Sequence, residues 1–419
     1  MATDLERAYE ALNGKLLNYS TLFAYADGVQ PTVYSTDRLR EAFGNIRATF
    51  TQNWCSVVIN AVLDRLMLKG FDAQDEAENN RLDDLWNRLR MNTDSYDAHY
   101  DALVTTEGFL ILGRDGDRID AYRNDPRSCH MFYHKERPKE REFATKWWDD
   151  DGIWNIRLYY PNRLELYQAR SKDRPSSAGA FTLVSQEPNP YDEIPVFHLR
   201  CRGEMDNIIT LQDAVNKLFA DMMVSAEFAA FKQRYIISNM DVSAIENAPY
   251  KTWILPGGDG TGQETSVGQF DATPLNTYLD AINDIANAIA IISRTPKHYF
   301  YNASGQLSGE ALLAMEAPLS RKVEQYQNQF GGVWRDVGAF LLRLDGSTKT
   351  EANSIVPIWQ PSESVQPFTE AQTRQVSVSS GVPLITQLRW EGKSQEEIDA
   401  MLKDRDEEEN AAYQNTPEQ

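Results

Sequence analysis

Cysteine, histidine and basic residues are all in short supply in this chain. Its three cysteines, Cys55, Cys129 and Cys201, stand far apart with no CxxC pair. They offer neither a disulfide framework nor a zinc knuckle, and a reducing compartment suits them. Five histidines leave little material for imidazole chemistry or metal sites. Lysine and arginine number 42 against 62 acids, for a net charge of −20 over 419 residues. A protein that grips nucleic acid must neutralise phosphates, so tight static binding of DNA is excluded as a main activity, while contact with moving DNA is not. No apolar run approaches the roughly 20 residues that span a bilayer, so no membrane is expected among the partners. The opening MATDLERAYEALNGK lacks a basic-then-apolar leader pattern, and the expected location is the cytoplasm or a particle assembled there. No internal repeat is found.

What is present is a globular composition, 42% apolar and 25% charged, with length for two or three domains. Ten acids and three bases between Glu391 and Gln419 make the end of the chain an acidic tail. Residues 1–30 read as a polar helix and tether. Thr36 to about Lys69 reads as largely helical, with Gly70 placed to end it. Leu82–Leu89 reads as a second helix, leading through MNTDSYDAHYDALVTTEG to a strand at Phe109–Gly113. Asp115-Gly116 then gives a hairpin signal, and the pattern is β-rich to about Arg200, including Trp154–Tyr159, Leu164–Tyr167 and Ile194–Leu199. The fold class expected is α+β.

The segment from Asp206 to Leu344 is the most organised. A helix over about Ile208–Phe231 places Leu211, Val215, Leu218, Met222, Ala226 and Ala229 on one stripe. A second over about Leu275–Ile292 repeats Leu275, Leu279, Ile282, Ala286 and Ile289. A third starts near Gly309 and carries Leu319, Val323, Tyr326, Phe330, Val333, Val337, Phe340 and Leu344; at about 1.5 Å per residue it runs roughly 50 Å. Between the first two helices lie short strands at Tyr235–Ile237, Trp253–Leu255 and Val267–Phe270, with a glycine-rich turn over Pro256–Gly262. After the third, Asp345–Pro367 reads as irregular, and Thr369–Ser380, Leu384–Trp390 and Ser394–Arg405 as short helices.

Catalytic motifs fail one by one. The glycines after Pro256 have the wrong spacing for a dinucleotide fingerprint, and Gln263-Glu264 stands where a P-loop needs Lys-Ser/Thr, so a hairpin tip explains them better. Asp149-Asp150-Asp151 could hold a divalent metal in an acidic α+β hydrolase, the main competing function; adjacent carboxylates in a turn are more often solvated surface. His130 and His134 have zinc-helix spacing without the HExxH glutamate, and read as structural histidines. Ser308 lies outside any GxSxG motif and reads as an N-cap with Glu310 in the first turn. No enzyme activity, cofactor or metal is expected. Arg294, Lys297 and His298 follow the second helix, and Arg321-Lys322 lie in the third. They either offset a helix dipole and decorate a face, or ring a passage for a polyanion.

Several runs taken together resemble a known family. Asp206-Asn-Ile-Ile-Thr-Leu-Gln-Asp-Ala-Val-Asn-Lys-Leu, then Ile291-Ile-Ser-Arg-Thr-Pro296, then Leu307-Ser-Gly-Glu-Ala-Leu-Leu are similar to portal proteins of tailed double-stranded-DNA phages, siphophage type. Gln52-Asn-Trp54-Cys-Ser-Val-Val-Ile-Asn-Ala-Val-Leu-Asp-Arg-Leu resembles that family's N-terminal helix, and Gly381-Val-Pro-Leu-Ile-Thr its crown. The resemblance covers about residues 30–405 through the order and spacing of these pieces. It implies a ring, usually of twelve subunits, at one capsid vertex of the virion, assembled in the host bacterial cytoplasm, through which DNA is packaged and ejected. The implied parts are an N-terminal tether (1–26), an α/β wing (27–205 with the long helix 309–344), stem helices (206–232 and 273–295), a clip (233–272), a tunnel loop (296–308) and a crown with acidic tail (345–419). The implied DNA-passage residues are Arg294, Lys297, His298, Tyr299, Asn302, Ser304, Gly305 and Gln306. Tyr250, Trp253, Gly257 and Gly258 would serve partner docking at the clip. Implied partners are double-stranded DNA in transit, the terminase large subunit, a head-completion or tail adaptor protein, and the major capsid and scaffolding proteins. A scaffold or adaptor built on the same helices is a further alternative.

Overall fold

The computed structural model describes residues 2–29, 52–230, 234–237, 266–271, 274–301, 309–348, 351–363, 374–391, 393 and 395–414. The chain opens with α1 (Asp4–Ala26), started by a capping box in which Thr3 and Glu6 each accept from the other's backbone amide. Here the tether expectation is corrected. Ala8, Tyr9 and Leu12 are buried, Arg7 forks onto Glu142 at 2.8 and 2.9 Å, and the Tyr9 hydroxyl donates to the Pro175 carbonyl at 2.7 Å. The helix is packed into the fold along both its halves, since Leu22, Phe23, Tyr25 and Ala26 are buried too.

Next comes α2 (Trp54–Leu63), which stops well short of the expected Lys69. Two tight turns follow, Arg65 N–H to Val62 and Leu66 N–H to Leu63, and the chain enters strand β1 (Leu68–Asp72). Gly70 therefore lies inside a strand, at a register shift and with φ +156°, where it ends no helix. The partner of β1 is β12 (Val356–Trp359), with Phe71 opposite Pro357. That pairing joins segments nearly 290 residues apart, so nothing local announces either strand.

Helix α3 (Glu76–Arg88) begins at Asp75, whose carboxylate caps the Ala77 amide at 3.0 Å. The segment read as a connection is a full helix, α4 (Met91–Thr105). Its buried residues mix the apolar Met91, Leu103 and Val104 with Ser95, Ala98, His99, Asp101, Ala102 and Thr105, so small and polar groups interrupt any apolar periodicity. Strand β2 (Glu107–Asp115) follows and pairs with β3 (Arg118–Asn124) through the Asp115-Gly116 turn, where Gly116 has φ +58°. Gly108 is required by close approach: a Cβ there would collide with the Ala98 carbonyl of α4.

Two antiparallel sheets result. The three-stranded one has the order β3-β2-β9, with β9 spanning Val196–Arg200; the five-stranded one runs β4-β5-β6-β7-β8. Its strands are β4 (Cys129–Tyr133), β5 (Arg141–Asp150), β6 (Ile153–Tyr159), β7 (Arg163–Arg170) and β8 (Thr182–Pro188). Strand β2 is buried on both faces because its alternation feeds two cores. Leu110 and Leu112 join the helical core, while Phe109 and Ile111 pack with Cys129, Met131, Ala144 and Tyr159 of the larger sheet.

The helix pair α5 (Ile209–Ala230) and α6 (Asn276–Ser293) packs antiparallel, with Ser225 near the end of one within 2.9 Å of Tyr278 near the start of the other. At that end Arg234–Ile237 (β10) and Ser266–Gln269 (β11) form a two-stranded antiparallel ribbon. The expected strand at Trp253–Leu255 and the turn Pro256–Gly262 lie outside the described residues. Helix α7 (Gly309–Leu344) is 36 residues long, about 54 Å at 1.5 Å per residue. Leu319, Val323, Tyr326, Phe330, Val337, Phe340 and Leu344 are buried, as their spacing predicts, together with Trp334. Its flank meets α2, α3, β9 and β12, and its Trp334 bonds to His99 of α4, so the long helix is a spine of the main core. Helices α8 (Leu384–Trp390) and α9 (Gln395–Gln414) come last.

Candidate functional site

The junction where α6 ends and α7 begins collects a cluster of linked polar groups. Helix α6 stops at Arg294, which takes the left-handed conformation (φ 55°) usually left to glycine; its amide and that of Thr295 turn back onto Ala290. A short 3₁₀ turn, Lys297–Tyr299, follows. Arg65, from the turn after α2, donates to the Tyr299 hydroxyl and to Glu316, both at 2.9 Å. Burial opposes the Arg65 charge, and Glu316 and Tyr299 more than offset it. His298 sits 3.7 Å from the same Glu316. Phe300 packs edge-on against Trp54 at 5.8 Å, and the Tyr301 hydroxyl donates to Asn287 at 2.7 Å.

This separates the expected passage residues. Arg294 and Lys297 are exposed, and among the described residues neither has an ion pair. His298 and Tyr299 instead turn inward and anchor the loop's first turn on Arg65 and Glu316. Asn302, Ser304, Gly305 and Gln306 lie outside the described residues, as do Ser308 and the docking candidates Tyr250, Trp253, Gly257 and Gly258.

Beneath Arg294 lies a cavity of about 300 Å³ between α5, α6 and α7. Lys322 of α7, expected among the exposed basic groups, forms its floor: the ammonium is buried against Glu204 at 3.1 Å and also donates to the Ser293 carbonyl. Tyr326 donates to the other Glu204 oxygen at 2.7 Å and to the Arg202 carbonyl at 2.8 Å. Burial pulls the Lys322 ammonium below its ordinary pKa, with Glu204 opposing. One carboxylate thus ties α7 to the segment entering α5, while the same lysine ties it to the end of α6.

A second polar clamp joins α5 to α2. The fully buried Gln212 accepts the Trp54 and Cys55 amides at 2.8 and 3.2 Å, acting as a tertiary cap on the start of α2, and its amide nitrogen donates to Asn216 at 3.0 Å and to the Gln52 carbonyl. Gln212 and Asn216, spaced i and i+4 within an apolar helix, were the visible signal for this contact. Sequence reasoning also missed Glu107. It accepts from Lys15 at 3.1 Å and Tyr19 at 2.9 Å, and His198 lies 3.5 Å away. Burial works to raise its pKa, but His198, Lys15 and His130 together hold it well below the usual carboxylate range.

The remaining candidates are ordinary structure. Asp149 and Asp150 end β5 and Asp151 begins the exposed β5–β6 turn, with Asp149 accepting the Gly152 amide at 3.1 Å. Among the described residues no group of three or more His, Cys, Asp or Glu side chains is arranged to hold a metal. His130 lies on β4 beside Lys15, with burial chiefly holding its pKa down to about 4. His134 is 3.9 Å from Glu140 in the β4–β5 turn.

Residues 50–411 match the family described as phage portal protein, SPP1 Gp6-like. The portal protein of Mycobacterium phage D29 is 23% identical over 350 residues, covering 74% of this chain and 70% of that protein. The portal protein of Mycobacterium phage L5 is 26% identical over 144 residues, 32% of this chain and 29% of the other. Among solved structures, a chain from the neck of an empty GTA particle computed with C6 symmetry superposes with a TM-score of 0.48 at 12% identity, covering 89% of this chain and 98% of that one.

Proposed function

The chain belongs to the SPP1 Gp6-like family of phage portal proteins, and from that premise we propose that it closes into a ring, of twelve subunits, whose axial channel passes viral DNA during packaging and ejection. A portal protein is a structural component of the phage particle and not an enzyme. The family match over residues 50–411 carries the proposal.

Within it, the two sheets and α2–α4 with α7 make the wing, α5 and α6 the stem, the β10–β11 ribbon and residues 238–265 the clip, 296–308 the tunnel loop, and the chain from 345 the crown. The clip end receives the terminase large subunit, and later a head-completion or tail adaptor protein; the wing faces the major capsid and scaffolding proteins. Three observations support these assignments. The α5–α6 hairpin projects the ribbon from its far end. Helix α6 leaves Leu279, Ile291 and Ile292 exposed, Ile291 at 79%, surface that contact with a neighbouring copy would cover. A net charge of −20 suits a wall past which DNA must slide, because each firm phosphate contact would be a barrier to movement.

Native mass measurement and particle imaging of the purified protein test the proposal. A closed ring with an open axial channel is expected. A clean monomer at micromolar concentration across a range of salt would overturn it, and a closed assembly without a channel would favour a scaffold or adaptor.

A further inference from the structure

The cavity between α5, α6 and α7 is positively charged in a chain that is strongly negative overall. Its floor pair, Lys322 with Glu204, cancels. Two cationic residues remain, Arg202 and Arg294; both line the cavity, both are exposed, and neither has an ion pair among the described residues. Each reaches the groups on the floor electrostatically: burial chiefly lowers the Lys322 ammonium and Arg294 adds to that, while burial and Glu204 raise the Tyr326 phenol and Arg202 opposes them. The two helix ends that border the cavity oppose one another, the start of α5 just after Ile208 and the end of α6 at Ser293. The Ser293 carbonyl is already taken by Lys322, so the arginines set the sign. Asn207 and Gln325 add neutral amide groups to the wall. At roughly 30 Å³ per water, 300 Å³ accommodates a tetrahedral anion with several waters.

We propose that this cavity binds a phosphate group, held between the forks of Arg202 and Arg294 above the Lys322–Glu204 pair. Guanidinium forks match phosphate oxygens two at a time, and two unneutralised arginines balance the charge of a phosphate dianion. A single phosphate in this half-open pocket is also compatible with an otherwise acidic surface, because it requires no extended basic track. The phosphate can be free or part of a nucleic acid backbone, and the chemistry of the site is the same for both. The site is complete within one subunit and does not rest on ring formation.

Calorimetric titration of the full chain with inorganic phosphate, at ionic strength held constant with chloride, is the test. Saturable binding is expected for the natural protein and for Arg321→Gln, which removes an exposed α7 charge that does not line the cavity. The pair Arg202→Gln and Arg294→Gln should weaken binding at least about tenfold, the scale of losing charge-assisted hydrogen bonds, with circular dichroism unchanged. Heats no larger than those from chloride, binding by the double variant within twofold of the natural protein, or an equal loss in Arg321→Gln would each overturn the proposal. A short DNA duplex that displaces phosphate from the natural protein identifies the occupant as a backbone phosphate, whereas failure to displace it identifies free phosphate. A monomeric protein that binds phosphate would refute the ring and leave the site standing; a ring that does not bind it would do the reverse.

Discussion

Lowering the pH should loosen this protein through His99. The imidazole of α4 is wholly buried, stacked on Phe330 at 5.2 Å, and its Nε2 accepts the Trp334 indole N–H at 2.9 Å. Burial holds its pKa down to about 3, against 6.5 when exposed. Because the folded value is depressed, the unfolded chain takes up the proton first as pH falls. The contribution is therefore fully present above about pH 6.5 and is lost progressively towards pH 3. At pH 4.5 the difference amounts to about two pH units of protonation, or roughly 3 kcal/mol at 1.36 kcal/mol per unit. Protonation would also put a donor where the Trp334 N–H now needs an acceptor. Urea unfolding followed by tryptophan fluorescence between pH 7 and pH 4.5 measures this, with His99→Gln as the reference. Glutamine keeps an acceptor within reach of Trp334 and does not titrate. Every other titrating group, including His130, is common to both proteins and cancels in the difference. The natural protein should lose roughly 3 kcal/mol more than the variant over this range. Parallel stability profiles for the two proteins would refute the assignment.

Two further outcomes follow from the clamps around α5. Lys322→Met leaves the Glu204 carboxylate buried with Tyr326 as its remaining side-chain partner and should cost about 3–5 kcal/mol; adding Glu204→Gln should recover part of that loss in denaturant unfolding, and strictly additive losses would contradict the pairing. Gln212→Ala strips the acceptor from two buried amides and should cost about 1–3 kcal/mol, with faster hydrogen exchange at Trp54 and Cys55; unchanged protection there would show that the cap does not hold α2.

Elements with a strong local period were legible from the residues. The spine α7, the pair α5 and α6, and the β2–β3 hairpin at Asp115-Gly116 all lie where their patterns put them, because amphipathic spacing and turn chemistry are properties of consecutive residues. The family was legible too, through runs lying on these same elements. Helix α4 was hidden because Ser95, His99, Asp101 and Thr105 interrupt the apolar residues on its buried side, and β1 and β12 because each is a strand only by virtue of the other.

The sequence by itself determined the charge, the scarcity of metal-binding residues, the long helix and the helix–ribbon–helix order that joins it. Only the tertiary structure decided which of the basic residues near that junction have no ion pair among the described residues. Lys322 is buried on Glu204, and His298 and Tyr299 are drawn to Glu316 and Arg65, while Arg294 and Lys297 stay in solvent. The physical reason is that periodicity is set within a few residues, whereas a buried charge takes whatever partner folding brings to it. Arg65 and Glu316 are 251 positions apart, and no local pattern can report that they meet.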